Sequence, residues 1–128
     1  VFNPDTIWDT DYIETINNMI QFHFSNYYKN TLLVVDKNLS FDKNLKGDFS
    51  FNNNKLIKNS RNDYIFTGCQ IINRKALSET FSQSIDNFSI LKIWDTLISR
   101  KSLFGFESKN KFNHVTNLEI YKKLLKNY

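Results

Sequence analysis

The acidic turn in Val1-Phe2-Asn3-Pro4-Asp5-Thr6-Ile7-Trp8 is the first place in this chain where chemistry could be done. An apolar strand tip running into that turn puts Asp5 at the carboxyl end of a buried strand, where α/β sheets bind ligands and metals. A carboxylate there is placed to hold a hard cation such as Mg²⁺ through oxygen, while Asn-Pro-Asp taken alone reads more simply as a turn. His114 lies between a short strand and a capped helix, within reach of a phosphate or a metal, although a lone His is more often a structural hydrogen-bonding group. Gly47-Asp48 could bring backbone N–H groups and one carboxylate to the hydroxyls of a sugar, or simply permit a turn. Thr67-Gly68 carries the same two readings. Lys58 and Arg61 could meet a phosphate, but in so Lys-rich a chain they read as solvated charge. Cys69 has no base nearby in sequence and reads as a packed thiol rather than a nucleophile.

These residues need elements to position them. Asp11 and Glu14 have capping-box spacing, and Ile13, Ile16, Met19, Ile20 and Phe24 recur at helical period, so the pattern predicts a helix over 11–24. Thr31-Leu32-Leu33-Val34-Val35-Asp36 is a β-branched, apolar run ending in an acid, as a buried strand would be. Residues 37–47 are polar and read as a loop. The runs 48–51 and 55–57 flank an Asn52-Asn53-Asn54 tip and predict a two-stranded ribbon. Tyr64 through Ile72 predicts a long strand in which Gly68 lets a ligand or another backbone approach closely. Ser89 is placed to cap a helix carrying Ile90, Leu91, Trp94, Leu97 and Ile98 on one side. Leu103-Phe104-Gly105-Phe106 predicts a short strand, and Thr116 with Glu119 has capping-box spacing before a helix bearing Ile120, Leu124 and Leu125. Helices and strands that alternate without a Cys framework favour a layered α/β sheet, in a single domain over 1–128.

Composition narrows the partners. At 128 residues and a formal charge of +4, the chain is one domain's worth and mildly basic. Its Lys residues are scattered through Asn-rich stretches, without the basic, aromatic-interleaved stripe of a nucleic-acid binder. Phosphorylated small ligands stay compatible with that charge. Abundant Asn, Lys, Ile, Phe and Tyr are what AT-rich codons supply, so composition reports genome chemistry more than function. One Cys forms no intramolecular disulfide, and no apolar stretch is long enough for a bilayer span or a signal peptide. These features make the cytoplasm the default compartment, with no membrane partner.

The order of the motifs carries a resemblance. Asn3-Pro4-Asp5-Thr6-Ile7-Trp8, a helix, Leu32-Leu33-Val34-Val35, Lys46-Gly47-Asp48-Phe49, Phe66-Thr67-Gly68, a helix start from Phe88 to Trp94, Leu103-Phe104-Gly105 and Phe112-Asn113-His114-Val115 resemble the sugar-1-phosphate nucleotidyltransferases. The likeness is to the N-acetylmuramate 1-phosphate uridylyltransferase and mannose-1-phosphate guanylyltransferase-like branch. It covers nearly the whole chain but only the latter half of the family's domain. The family's glycine-rich nucleotide-binding loop has no counterpart here.

The resemblance implies a partial Rossmann-like nucleotidyltransferase fold, a mixed sheet flanked by helices. It makes Asp5 the ligand of the catalytic Mg²⁺ and places Gly47, Asp48, Thr67 and Gly68 where the family contacts the sugar. The family's aromatic-x-Asp-Val-Gly-Thr-Pro-Glu motif matches 112–119, with His114 at the metal-binding Asp, Thr116 at the Gly, Asn117 at the Thr and Leu118 at the Pro. Related sequences carry His before the Val. Imidazole is a poorer Mg²⁺ ligand than carboxylate, so His114 is expected to contact phosphate or a metal-bound water. The implied substrates are a sugar 1-phosphate and a nucleoside triphosphate, giving a nucleotide sugar and pyrophosphate.

With no residue before Val1, the sequence reads as opening in mid-fold. The expectation is then a weak or inactive enzyme until a separately encoded N-terminal half completes it, with poor binding of nucleoside triphosphate by itself. Val1-Phe2-Asn3 and the face of Leu32-Leu33-Val34-Val35 are expected to lack neighbours, favouring such a partner or a homo-oligomer. The alternative is a non-catalytic remnant or oligomerising interaction module of the same fold.

Overall fold

The β-branched run does form a strand, β1 (Asn30–Asp36), and a mixed sheet is built around it. In a computed structural model that describes residues 1–80 and 90–128, β2 (Ser50–Asn52), β3 (Lys55–Ile57), β4 (Tyr64–Ile72) and β5 (Phe104–Ser108) join it in the order β2-β3-β5-β1-β4. β1 runs parallel to β5 and antiparallel to β4. The turn between β2 and β3 puts Asn53 and Asn54 at φ of 49° and 62°, the paired left-handed residues of a type I′ hairpin, which Asn tolerates.

Helices cover both faces. α1 (Asp11–Ser25) packs Tyr12 and Met19 against Leu33 and Cys69, while α3 (Ile90–Ser99) packs Ile93, Trp94 and Leu97 against Leu32, Val34, Phe49, Leu56 and Leu103. The short α2 (Arg74–Thr80) was not foreseen; Asn73 Oδ1 opens it by accepting from Ala76 N at 2.9 Å. The expected Ser89 cap and the Phe88 helix start lie outside the described residues.

Central placement of β1 overturns the expectation that its face lacks neighbours. Leu32, Leu33, Val34 and Val35 are each at most 1% exposed, because alternate side chains enter the layers on opposite sides of the sheet. The opening residues differ as well: Val1 and Phe2 are exposed, and Phe2 forms a single antiparallel bridge to Cys69, so they line the sheet's margin rather than a buried strand.

α1 turns only part of the expected face inward. Met19 is buried and Ile16 packs beside it, joined by the buried Tyr12 and His23, whereas Ile13, Ile20 and Phe24 face solvent. The buried polar tips explain the choice: Tyr12 Oη donates to Lys111 O at 2.9 Å, and His23 Nδ1 lies 2.8 Å from Thr31 Oγ1. The capping boxes are also replaced. Asp9 Oδ1, not Asp11, accepts at the start of α1, from Asp11 N at 3.1 Å. Asn117 Oδ1 caps α4 (Leu118–Leu125) by accepting from Ile120 N at 2.9 Å, which frees Thr116 to donate to Asp42 Oδ2 at 2.7 Å. Among the described residues, no helix is long and apolar enough to cross a membrane.

Candidate functional site

β4 is an end strand of the sheet, and its outer edge is covered by two separate segments. Phe49 pairs with Tyr64 at one end, while Asn3 N donates to Gly68 O at 2.8 Å and Gln70 N to Val1 O at 3.0 Å at the other. Phe66 and Thr67 lie between these two attachments, and Gly68 belongs to the second.

Here the chain brings Asp5 and His114 together. Residues 5–7 pair with 113–115: Val115 N donates to Asp5 O at 2.8 Å, Ile7 N donates to Asn113 O at 2.9 Å, and Thr6 bridges His114 antiparallel. This pairing leaves His114 Nε2 at 3.7 Å from Asp5 Oδ2, with Asp5 half exposed and His114 largely covered. Phe112 lies parallel to the imidazole, centroids 5.5 Å apart, and limits its rotation. Thr6 is the residue that sequence reasoning missed. Its hydroxyl donates to Thr67 O at 2.8 Å and lies 3.4 Å from His114 Nδ1.

One hydroxyl has one proton to give. With that proton on Thr67 O, the contact to His114 requires Nδ1 to be the donor, and the neutral ring then turns its Nε2 lone pair toward the Asp5 carboxylate. A proton, a cation or a water can join two such acceptors. Fixing one ring nitrogen so that the other is presented is how proteins orient imidazoles at metal and phosphate sites. The only sequence signal for Thr6 was its place between Asp5 and Ile7 in an extended segment.

The other expected site residues divide. Gly68 has φ +96° at an irregularity where the β1–β4 register shifts, and a Cβ there would lie 2.8 Å from Asn3 Cβ. The close approach that Gly68 permits is thus made by the chain's own opening segment. Thr67 is fully buried, its hydroxyl donating to Leu33 O at 2.9 Å, so its side chain holds the strand while its carbonyl holds Thr6. Asp48 comes to the same edge, where its Oδ2 accepts from Phe66 N at 2.8 Å. Packing around that carboxyl raises its pKa, opposed by the Phe66 N–H and Lys58, although the residue keeps exposed surface. Gly47 instead faces the 58–63 loop, where an added Cβ would fall on Asn62 O.

Other candidates are accounted for by packing. Burial pushes the Cys69 thiol up to about 11, so it is held as a thiol. Lys58 pairs with Asp95 at 2.8 Å. Among the described residues no three His, Cys, Asp or Glu side chains converge on one point. Asp5 supplies one hard oxygen, which suits Mg²⁺ when water and substrate phosphate complete the shell, as is common for this ion. No family model matches the chain, and no curated protein matches it significantly.

Proposed function

We propose that this chain is the sugar-phosphate-binding half of a nucleotidyltransferase, acting on a sugar 1-phosphate and a nucleoside triphosphate once a nucleotide-binding half is present. The observation that carries this reading is the Asp5–His114 pair, locked by Thr6 beside the Thr67-Gly68 edge. The order of motifs from Asn3 to Glu119 adds to it.

In this reading Asp5 would hold Mg²⁺, and His114 Nε2 would accept a hydrogen bond from a metal-bound water. Bound Mg²⁺ supplies neutralisation of the charge that spreads over the phosphate oxygens as the sugar phosphate attacks the α-phosphorus and pyrophosphate leaves. Thr6 and Phe112 fix the imidazole, so that its orientation costs little when substrate arrives. Asp48, at the other end of that stretch of β4, accepts from sugar hydroxyls through the oxygen that Phe66 N does not use.

The test is pyrophosphate release from hexose 1-phosphates and each of the four common nucleoside triphosphates with Mg²⁺, with and without a nucleotide-binding half supplied in trans. Release that needs the added half and is mostly lost in Asp5→Asn is the expected result. No release from any combination of folded proteins overturns the proposal.

A further inference from the structure

A second cleft, of about 530 Å³, opens between the loop after β1 and the loop before β4, lined by Lys37, Lys43, Lys46, Gly47 and Arg61. These cations come from two loops distant in sequence, so no run of basic residues announced them. We propose that this cleft is a binding site for a small phosphorylated anion, distinct from the Asp5–His114 pair.

Charge in the cleft is only partly compensated, because three neighbouring acids are turned elsewhere and Lys43 Nζ donates to a neutral carbonyl, Asn38 O, at 2.8 Å. Asp36 Oδ1 accepts from Asn38 N at 2.8 Å. Asp42 is buried, with Oδ2 accepting from Thr116 and Oδ1 from Asn44 N at 3.0 Å. Asp48 accepts from Phe66 N. Only Asp63 serves the cleft's cations, lying 2.7 Å from Lys37 Nζ and 3.4 Å from Arg61 Nε. One carboxylate shared by two cations fixes where they sit, and no ion pair engages Lys43 or Lys46 among the described residues.

The walls are built before any ligand arrives. Lys37 N donates to Asp63 O at 2.9 Å, Asn59 and Asn62 brace the 58–63 loop through Asn59 N to Asn62 Oδ1 at 3.0 Å, and Gly47 packs its Cα face on Asn62 O. The cleft also lies beyond Asp36, at the carboxyl end of β1, and β1 runs parallel to β5. Open α/β sheets place ligands at that end of their strands. Three lysines and a guanidinium around an open cleft match the several oxygens and charges of a phosphoryl group better than a single carboxylate.

The experiment is an amide NMR titration of the whole chain with inorganic pyrophosphate and, separately, with a hexose 1-phosphate, each repeated with a short single-stranded oligonucleotide as competitor. Saturable shifts at residues 43–47 and 60–62 are expected from at least one of the two small anions. The Lys46→Gln/Arg61→Gln double variant should weaken them at least tenfold. Lys122→Gln/Lys126→Gln removes the same charge from α4 and should leave them unchanged, while Asp5→Asn should leave them intact even if the nucleotidyltransferase reading fails. Shifts spread without saturation over lysines generally, equal losses in the two double variants, displacement by the oligonucleotide at lower concentration than the small anions bind, or no shifts in a folded sample each overturn the proposal.

Discussion

Thr6 shows how much a single proton decides. Because its hydroxyl gives that proton to Thr67 O, the imidazole beside it is left with one nitrogen fixed and the other aimed at Asp5. Residue types near the site were legible in the sequence, since an acid after an extended segment and a His before a capped helix suggested ligand chemistry. Their meeting was not legible, because it depends on pairing between the two ends of the chain. Gly68 was legible as a point of close approach, but not what approaches. Gly68→Ala is therefore predicted to act on the site through Asn3: the new Cβ meets Asn3 Cβ at a positive φ, costing about 1–3 kcal/mol. Denaturant melts should show that loss, and faster hydrogen exchange at Asn3 should accompany it. A melt unchanged from the parent protein contradicts the assigned packing.

At the scale of elements, the long apolar runs were the readable part. β1 and β4 have enough β-branched and apolar residues in sequence to be strands in almost any context, and the Asn-rich tip left few turns other than the one observed. Helix faces and caps were less readable, since α1 offers two stripes at the same period and tertiary partners for Tyr12 and His23 choose between them. The cap of α4 failed for a similar reason. Thr116 has a better acceptor in Asp42, 74 positions away and out of reach of any local motif, and Asn117 takes over the helix terminus.

That exchange has a pH signature. The Thr116 hydroxyl and the Asn44 backbone N–H hold the Asp42 carboxyl below its ordinary value of 3.8, so their stabilisation is complete above that value and is lost as pH falls through the lowered one. Thr116→Val should lower stability near neutral pH by about 1–2 kcal/mol, with the difference closing in strong acid. Thermal melts of both proteins across the acid range decide this, and a difference that does not change with pH contradicts it.

At the scale of the molecule, sequence alternation was enough to give a layered α/β sheet, but not the strand order that places β1 inside. Among the described residues, apolar side chains left outward include Val1 and Phe2, the Ile13, Ile20 and Phe24 stripe of α1, and Leu118, Tyr121 and Leu125 of α4. The proposed completing half, or a second copy, has those surfaces to cover rather than the face of β1. What the whole fold is proposed to do is present Asp5, His114 and Asp48 around one stretch of sheet edge. The most direct measurement is calorimetric titration of the chain with a panel of hexose 1-phosphates, with and without Mg²⁺, alongside Asp5→Asn of matched melting temperature. The account predicts binding of at least one sugar phosphate that strengthens with Mg²⁺ and loses that strengthening in Asp5→Asn; affinity indifferent to both Mg²⁺ and Asp5, or no binding by the folded chain, contradicts it.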